Sequence, residues 1–211
     1  ETTLIRAERV AEGSQKGSLS LAQLHAMIDA NERIKYDTRN RNLLKTRNAL
    51  LLKFLYLTAA RRSEAANLKW GDLQQDGEFQ VVILQQTKSG EPQKLKLRRE
   101  LFEELECWNE TLKTNQIECE WVFPSLSFRT LGGKMSGKGV NDVVSKLGSA
   151  IGLKISAHYL RHTAITLALE LGEPLQKVQS YARHASANTT IRYFHDQQFL
   201  EKNPTDRLPM I

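Results

Sequence analysis

Residues 43–64, LLKTRNALLLKFLYLTAARRSE, begin with a leucine-rich helical pattern. Seven of the fifteen residues over 43–57 are leucine, and Phe54 and Tyr56 add further apolar surface. A helix with so many large apolar side chains would be apolar on most of its sides, which is typical of a helix buried in the centre of a domain. The pattern breaks near residues 58–61, and a short helical piece is predicted over residues 63–68.

Helical patterns continue on both sides of this segment. Ser20 and Gln23 form a capping-box pair, which predicts a helix that begins after Ser20. Leu21, Leu24, Met27 and Ile28 would form its apolar face. Residues 32–42 are polar with an excess of basic side chains, and we expect a loop there. Further helices are predicted over residues 99–113, 138–151, 156–171 and 174–181, with a last turn or two over 188–193.

One hairpin carries the clear β pattern of the sequence. Residues 79–86 contain an apolar run, residues 87–92 are typical of a turn, and residues 93–97 return with alternating lysine and leucine. The sequence therefore predicts a fold class that is mainly α with one small antiparallel β-sheet (α+β).

Composition narrows the classes of partner and compartment. The formal net charge is +6 and the pI is near 9.3, which favours a polyanionic partner such as nucleic acid. The two cysteines, Cys107 and Cys119, show no disulfide framework and no metal-ligand spacing. No apolar run is long enough to cross a bilayer, and nothing near Glu1 resembles a signal peptide. We expect a cytoplasmic protein without a membrane partner.

Four blocks hold the side chains that could carry chemistry. They are TAARRSE at residues 58–64, TKSG at 87–90, HYLRHT at 158–163 and HASANTTIRY at 184–193. His158 and Arg161 are three residues apart near the start of a predicted helix, so both side chains project from one face. The N-terminus of a helix suits a phosphate, and an arginine there can donate two parallel hydrogen bonds to phosphate oxygens.

Each block on its own has a plain structural interpretation. Arg61 could be a charge at a helix end, and Lys88 is a common residue in exposed turns. His184 could cap the preceding helix, and Tyr193 could be a half-buried aromatic residue. His158 and Arg161 taken alone are typical of a solvated helix face. Only the combination of the blocks indicates a function.

In combination and in this order, the blocks resemble the tyrosine recombinase, or phage integrase, family. Members carry an arginine in a Thr-Gly-x-Arg-x-x-Glu setting, a lysine on a β-hairpin, a His-x-Leu-Arg-His block and a Leu-Gly-His…Thr-Thr…Tyr block. The resemblance covers about residues 20–195. The matching positions are Arg61, Glu64, Lys88, His158, Arg161, His162, His184, Thr189, Thr190 and Tyr193.

The sequence departs from the family pattern at a few positions. Ala59 stands where glycine is usual, Arg62 stands where an apolar residue is more typical, and Ala182-Arg183 replaces the Leu-Gly expected before His184. The added charge of Arg183 is expected to alter DNA contact or regulation. The residues predicted to contact DNA are Lys134, Lys138, Arg183 and Arg192.

The resemblance implies that the chain attacks a DNA phosphodiester. Such a bond resists attack because its charge repels nucleophiles, so the non-bridging oxygens have to be neutralised. Arg61 and Arg161 fit that need as fixed cations, and His184 adds a hydrogen bond. Glu64 is expected to orient Arg61, and His162 to support the site.

The remaining matched residues are expected to move protons and form the covalent bond. Tyr193 is the predicted nucleophile, and its phenol loses a proton as it attacks. His158 would accept or pass that proton, and Lys88 would protonate the leaving 5′ oxygen. The product implied by the resemblance is a 3′-phosphotyrosyl link with a free 5′-hydroxyl. A second 5′-hydroxyl can reverse the step without ATP, and we expect no cofactor and no metal.

The same resemblance suggests a domain organisation and an assembly. Residues 1–19 are predicted to be a linker or arm, residues 20–195 a catalytic domain, and residues 196–211 a tail that covers its own core or docks in trans on a neighbouring protomer. The chain lacks the length ahead of Ser20 for the N-terminal DNA-binding domain that family members usually carry. We expect double-stranded DNA as the partner, a tetramer on paired DNA sites, and a monomer when the domain is isolated.

Two other functional classes fit parts of the pattern. Type IB topoisomerases and telomere resolvases use the same phosphotyrosyl chemistry, and a DNA relaxation assay without partner sites would separate the first from a recombinase. A non-catalytic DNA-binding protein on the same scaffold is the other alternative. All six predicted catalytic positions are filled, which argues against that alternative.

Overall fold

A computed structural model describes residues 17–85 and 91–183 of the chain. In chain order its elements are α1 (Leu21–Arg33), α2 (Arg41–Thr58), α3 (Arg62–Ala66), β1 (Leu73–Asp76), β2 (Phe79–Leu84), β3 (Gln93–Lys96), α4 (Arg99–Thr114), α5 (Gly137–Ser149), α6 (Ala157–Glu170) and α7 (Leu175–Ala182). Short 3₁₀ turns cover Trp70–Asp72 and Phe128–Thr130. The predicted fold class, mainly helical with one small antiparallel sheet, is confirmed.

Helix α2 is the buried centre of the domain, as its leucine content predicts. Leu51, Phe54 and Leu55 are fully buried. The helix packs against α1, α4 and α6, and the Phe54 ring lies 5.5 Å from the ring of Phe123, centroid to centroid. Burying this many large side chains supplies much of the apolar driving force for folding. The end of α2 is thereby held in a fixed place.

Helix α1 begins as predicted, with both halves of its capping box formed. The Ser20 hydroxyl accepts a hydrogen bond from the backbone N–H of Gln23 at 3.2 Å, and the Gln23 side chain accepts one from the Ser20 N–H at 2.8 Å. Its apolar face differs from the prediction. Leu24 and Met27 are buried, whereas Leu21 is exposed because the buried face centres on the side that also carries the fully buried Gln23.

The sheet has three antiparallel strands in the order β1-β2-β3. Val82 in the central strand lies opposite Leu73 of β1 and Leu95 of β3. The predicted hairpin corresponds to β2 and β3, but β1 was not predicted. Its sequence, LQQD, is mostly polar and exposed, so no apolar alternation marks it.

The later helices lie close to their predicted positions, and each differs from its predicted range by no more than two residues at either end. The predicted turn over residues 188–193 lies outside the described residues. None of the helices within residues 17–85 and 91–183 combines the length and apolar character that a membrane span requires.

A second, smaller apolar cluster joins α6 and α7 to the end of α2. Its buried members are Ala59, Ala164, Ile165, Leu169, Val178 and Ala182. Small side chains at Ala59 and Ala182 let the ends of α2 and α7 approach each other closely. This packing brings two of the sequence blocks, residues 58–64 and the segment leading to residue 184, to one place.

Candidate active site

The candidate site lies where α2 ends and α3 begins. Ala59 follows α2 in a left-handed conformation, with φ 47° and ψ 34°. This turns the chain so that Arg61 becomes the N-cap of α3. The backbone N–H of Arg61 donates to the carboxylate of Glu64 at 2.7 Å, so the acidic side chain caps the helix that carries it.

The last carbonyl groups of α2 have no partners within the helix and are capped by side chains from α6 and the end of α7. The Tyr181 hydroxyl donates to the carbonyls of Tyr56 and Leu57 at 3.3 and 3.0 Å. Arg183 Nη1 donates to the carbonyl of Thr58 at 3.1 Å, and its Nη2 donates to the carbonyl of Ala59 at 2.8 Å. Arg161 Nη1 donates to the same carbonyl of Ala59 at 2.5 Å. Two guanidinium groups therefore lie at the negative end of the helix dipole, which favours positive charge.

Arg61 is held on two sides. Its Nη1 donates to Glu64 Oε1 at 2.6 Å, and its Nη2 donates to the carbonyl of Arg183 at 3.3 Å. A quarter of the Arg61 side chain is exposed, whereas the side chain of Glu64 is fully buried. Arg61 therefore presents a fixed, accessible cation, and the predicted role of Glu64 in orienting it agrees with this geometry.

Glu64 remains ionised although it is buried. Burial by itself raises the pKa of a carboxyl group, but the charge of Arg183 and the hydrogen bonds from Arg61 outweigh it, so the pKa of Glu64 is lowered. Arg183 Nη2 lies 3.0 Å from Glu64 Oε2. The carboxylate thus accepts hydrogen bonds from two arginines and from one backbone N–H.

The side chain of Arg161, on α6, is buried in the interior of the domain. Only 3% of the residue is exposed. Besides its bond to Ala59, its Nη2 donates to the carbonyl of Ala182, so its fork ties the end of α2 to the end of α7. The structure therefore brings Arg161 to the junction between the ends of α2 and α7, where Arg61 also lies. The guanidinium of Arg161 donates to backbone carbonyls there.

His158 lies in the first turn of α6 and is exposed. Partial burial of its ring, followed by the charges of Arg161 and Arg61, lowers the pKa of His158 below its ordinary value of 6.5. The imidazole is therefore neutral near pH 7 and could accept a proton. One turn later, His162 is half-buried, and its Nδ1 lies 3.3 Å from the Thr166 hydroxyl.

The side chains predicted to contact DNA are placed differently from one another. Lys134 and Lys138 are exposed. The ammonium of Lys134 lies 5.2 Å from the centroid of the Trp121 ring, and Lys138 pairs with Asp142 at 2.7 Å. An exposed ion pair of this kind is weak and exchanges readily for another anion. The prediction for Arg183 is contradicted: its side chain is only 2% exposed and is directed into the α2–α7 junction.

Several predicted residues lie outside the described residues, so their positions stay predictions. They are Lys88, His184, Thr189, Thr190, Arg192 and Tyr193. Among the residues that the structure describes, no group of three or more His, Cys, Asp or Glu side chains could hold a metal ion.

Sequence reasoning missed two features of the junction. It did not identify Tyr181 as a cap for α2, and it placed Arg183 on the surface. A sign of the second was present, because Ala59 and Arg183 both occupy positions where the family usually has glycine. Both adopt positive φ, 47° and 55°, which favours glycine.

Comparison with known protein families identifies a match over most of the chain. The model of the phage integrase family matches residues 18–199. A tyrosine recombinase of Synechococcus elongatus is 31% identical over 173 residues, which cover 80% of this chain and 53% of that protein. Tyrosine recombinase XerA of Pyrococcus horikoshii is 32% identical over 147 residues, covering 70% of this chain and 50% of XerA. The chain spans about half the length of the curated relatives it matches.

Solved structures share the same fold. The XerH site-specific recombinase bound to difH substrate before cleavage matches with a TM-score of 0.71 and 24% identity, covering 92% of this chain and 55% of XerH. The XerA recombinase matches with a TM-score of 0.67 and 22% identity, covering 92% of this chain and 64% of XerA.

Proposed function

The chain belongs to the phage integrase family, and on that premise we propose that it is the catalytic part of a tyrosine site-specific recombinase that cuts and rejoins double-stranded DNA. The relatives that match it carry the name tyrosine recombinase, and solved structures with the same fold include complexes with DNA. We propose that the catalytic domain spans residues 20–195, as the sequence pattern suggests.

The observation that carries the proposal is the convergence of predicted site residues on one junction. Arg61 and Glu64 come from the start of α3, Arg161 from α6, and both arginines donate to the backbone of residues 182–183. The charges of Arg61 and Arg161 both act on His158. Residues about a hundred positions apart in the sequence thus converge on the backbone of residues 182–183. The next residue along the chain is His184, which is also predicted to belong to the site.

Such a junction suits a phosphodiester. Arg61 is oriented by Glu64 and partly exposed, so its guanidinium can donate to a non-bridging oxygen without having to reorganise. Arg161 lies beneath the surface, and in the proposed mechanism its fixed charge adds to the positive potential at the phosphate. In the proposed mechanism, His184 would complete the set of donors to the phosphate.

The proposed reaction exchanges one ester bond for another. The phenolic oxygen of Tyr193 attacks phosphorus, the bond from phosphorus to the 5′ oxygen breaks, and a 3′-phosphotyrosyl bond forms. His158, neutral near pH 7, takes the phenolic proton directly or through water, and Lys88 donates a proton to the leaving 5′ oxygen. Attack by another 5′-hydroxyl reverses these steps, so rejoining requires no external energy source.

Recombination of two duplexes requires four such sites, so we propose a tetramer on paired DNA sites. Residues 196–211 contain Phe199, Leu200, Leu208, Met210 and Ile211, which are too apolar for a purely solvated tail. In the proposed assembly this tail docks on a neighbouring protomer. Deletion of residues 203–211 tests it: docking in trans predicts loss of strand exchange with an unchanged melting temperature, whereas a large fall in the melting temperature of the monomer contradicts it.

Covalent trapping tests the proposed chemistry. A nicked duplex that loses its 5′-hydroxyl fragment after cleavage should leave the wild-type protein attached to DNA in denaturing gels, in buffer with EDTA and without ATP. Tyr193→Phe should retain DNA binding in a mobility-shift assay and form no adduct, because it lacks one hydroxyl and leaves the basic surface intact. The substrates are drawn from a random duplex library selected for binding. An adduct that persists in Tyr193→Phe would remove Tyr193 from the mechanism.

A further inference from the structure

Arg183 occupies an unusual place for an arginine. It ends α7 in a left-handed conformation, with φ 55° and ψ 46°. Residues with a Cβ are disfavoured there, and glycine is the common choice at the end of a helix. The Arg183 side chain is nevertheless almost fully buried. A buried charge in a strained backbone position persists only where its surroundings hold it.

The two terminal nitrogens of the Arg183 guanidinium meet this condition, whereas its buried Nε has no hydrogen-bond partner among the described residues. Nη1 donates to the carbonyls of Thr58 and Tyr181 at 3.1 and 2.9 Å. Nη2 donates to the carbonyl of Ala59 at 2.8 Å and to Glu64 Oε2 at 3.0 Å. The planar fork thus bridges the end of α2, the end of α7 and the first turn of α3. A lysine could not make these contacts together, because its ammonium is a single point.

Arg183 is also connected to Arg61 in two ways, through its own backbone and through Glu64. Its backbone carbonyl accepts from Arg61 Nη2, and its guanidinium shares the carboxylate of Glu64, the partner of Arg61 Nη1. Two guanidinium groups therefore meet one carboxylate. Because the buried Arg183 balances the charge of Glu64, the charge of the more exposed Arg61 remains available to an anion, while Glu64 still fixes its orientation.

We propose that Arg183 is a positioning residue for the reaction: its buried fork holds Glu64 and the 58–59 turn so that Arg61 is oriented and keeps its positive charge toward the scissile phosphate. This role replaces the DNA contact that the sequence suggested for Arg183. It rests on the proposed function, since it describes how the same site is built.

Arg183→Gly is the decisive variant, because glycine suits the backbone conformation and removes only the side chain. We expect single-turnover cleavage of the nicked substrate at saturating protein to fall about 10- to 100-fold, by analogy with the loss of a group that orients a metal ligand. The dissociation constant for DNA should change little, because the lost charge is not at the surface. Gln116→Gly is the matched control, since Gln116 is an exposed non-glycine residue with φ 57° far along the chain from the site.

Chemical rescue separates positioning from general destabilisation. Guanidinium ion at low millimolar concentration should restore part of the Arg183→Gly cleavage rate by occupying the space beside Glu64, whereas sodium chloride at equal ionic strength should not. Arg183→Lys should fold and cleave several-fold more slowly than wild type, because it retains the charge without the fork.

The outcomes distinguish this inference from the proposed function. If the wild type forms no adduct, the recombinase function fails. If the wild type cleaves and Arg183→Gly cleaves equally fast, the positioning role is overturned. A rate loss that is matched by an equal loss of DNA affinity and not rescued by guanidinium ion also overturns it. If Arg183→Gly melts below the assay temperature, Arg183→Lys decides: a wild-type rate from that variant contradicts a role for the fork.

Discussion

Buried arginines lie at two places along helix α2, one in its N-terminal half and one just beyond its C-terminus. The two regions differ in the partners that surround the arginines. In the N-terminal half, Arg47 is 5% exposed and its described partners are neutral. Its Nε and Nη2 donate to the side-chain oxygen of Asn48 at 3.2 and 2.8 Å, and its Nη1 donates to the carbonyl of Pro124 at 3.0 Å. Burial lowers the pKa of Arg47 to about 10.

Beyond the C-terminus, three arginines share a site with one carboxylate. Arg61, Arg161 and Arg183 converge on the junction that Glu64 closes, and a quarter of the Arg61 side chain reaches solvent. Positive charge near a surface opening can be used by an incoming anion. The charge of Arg47, enclosed by amide and carbonyl oxygens, serves instead to fasten the chain at Pro124 to α2.

The difference shows that burial of an arginine does not by itself indicate a functional site. What distinguishes the C-terminal region is that Arg61 is held in place by an interior carboxylate and is still open to solvent. Nearby, partial burial and then the charges of Arg161 and Arg61 lower the pKa of His158. Substitutions in the two regions should therefore differ in their effect on the reaction: those at the C-terminal junction should change both chemistry and stability, and those around Arg47 stability alone.

The largest expected effect concerns Lys88, which the sequence assigns to the C-terminal site. Lys88→Ala should slow cleavage of an ordinary substrate by about 10²–10⁴-fold, the usual contribution of a general acid. A substrate with a 5′-bridging phosphorothiolate should be cleaved by the variant at nearly the wild-type rate, because a thiolate leaves without a proton. Single-turnover assays on both substrates make the measurement. Lack of rescue would exclude Lys88 as the general acid.

Glu64→Gln should destabilise the fold strongly. Removing one partner of a buried ion pair leaves the other charge without compensation and costs about 3–5 kcal/mol of unfolding free energy. Because the folded state lowers the pKa of Glu64, this stabilisation is present above the unfolded value near 4.5 and is lost as the pH falls below it. Urea denaturation of both proteins at several pH values should show the difference shrinking in acid. A constant difference would contradict the charge argument.

Arg47→Met should have a smaller effect on stability. The substitution leaves the oxygens of Asn48 and Pro124 without their donor, which costs about 1–3 kcal/mol. It also removes a buried cation that has no carboxylate among its described partners. Urea denaturation measures this change. A loss larger than that of Glu64→Gln would reverse the comparison between the two regions.

The smallest expected effect is a shift in the titration of His158. By NMR, the pKa of His158 in the free protein should lie below 6.5, and Arg61→Gln should move it upward because one repelling charge is removed. Arg47→Met should leave the titration unchanged. An unmoved pKa in Arg61→Gln would show that the two side chains are not neighbours.

Strong periodicity made much of the fold predictable. The leucine-rich α2 and the Ser20–Gln23 capping box lie where the sequence indicated. Strand β1 could not be predicted, because LQQD has no apolar alternation and becomes a strand only by pairing with β2. Leu21 was misassigned because helical spacing alone does not tell which side of a short amphipathic helix meets the core.

The candidate site was predictable in composition but not in arrangement. The order of the blocks predicted that Arg61, Glu64, His158 and Arg161 belong to one site. It could not show that the Arg183 side chain is directed inward. That orientation depends on the left-handed backbone conformations of Ala59 and Arg183, at the ends of α2 and α7, and on the hydrogen bond between these two residues. Positive φ at residues other than glycine is uncommon, so the usual glycine of the family at both positions is the sign of it that the sequence carries.

The most direct test of the account compares the two regions in one assay. Single-turnover cleavage of the nicked substrate is measured at saturating protein for Arg61→Gln and Arg47→Met, at a temperature where both variants are folded. Glu64 retains Arg183 as a partner in Arg61→Gln, so that variant should fold. The account predicts a loss of about 10²–10³-fold for Arg61→Gln, as for removal of one donor to a developing charge, and a rate close to wild type for Arg47→Met. A wild-type rate from Arg61→Gln, or an equal loss in both variants, would contradict it.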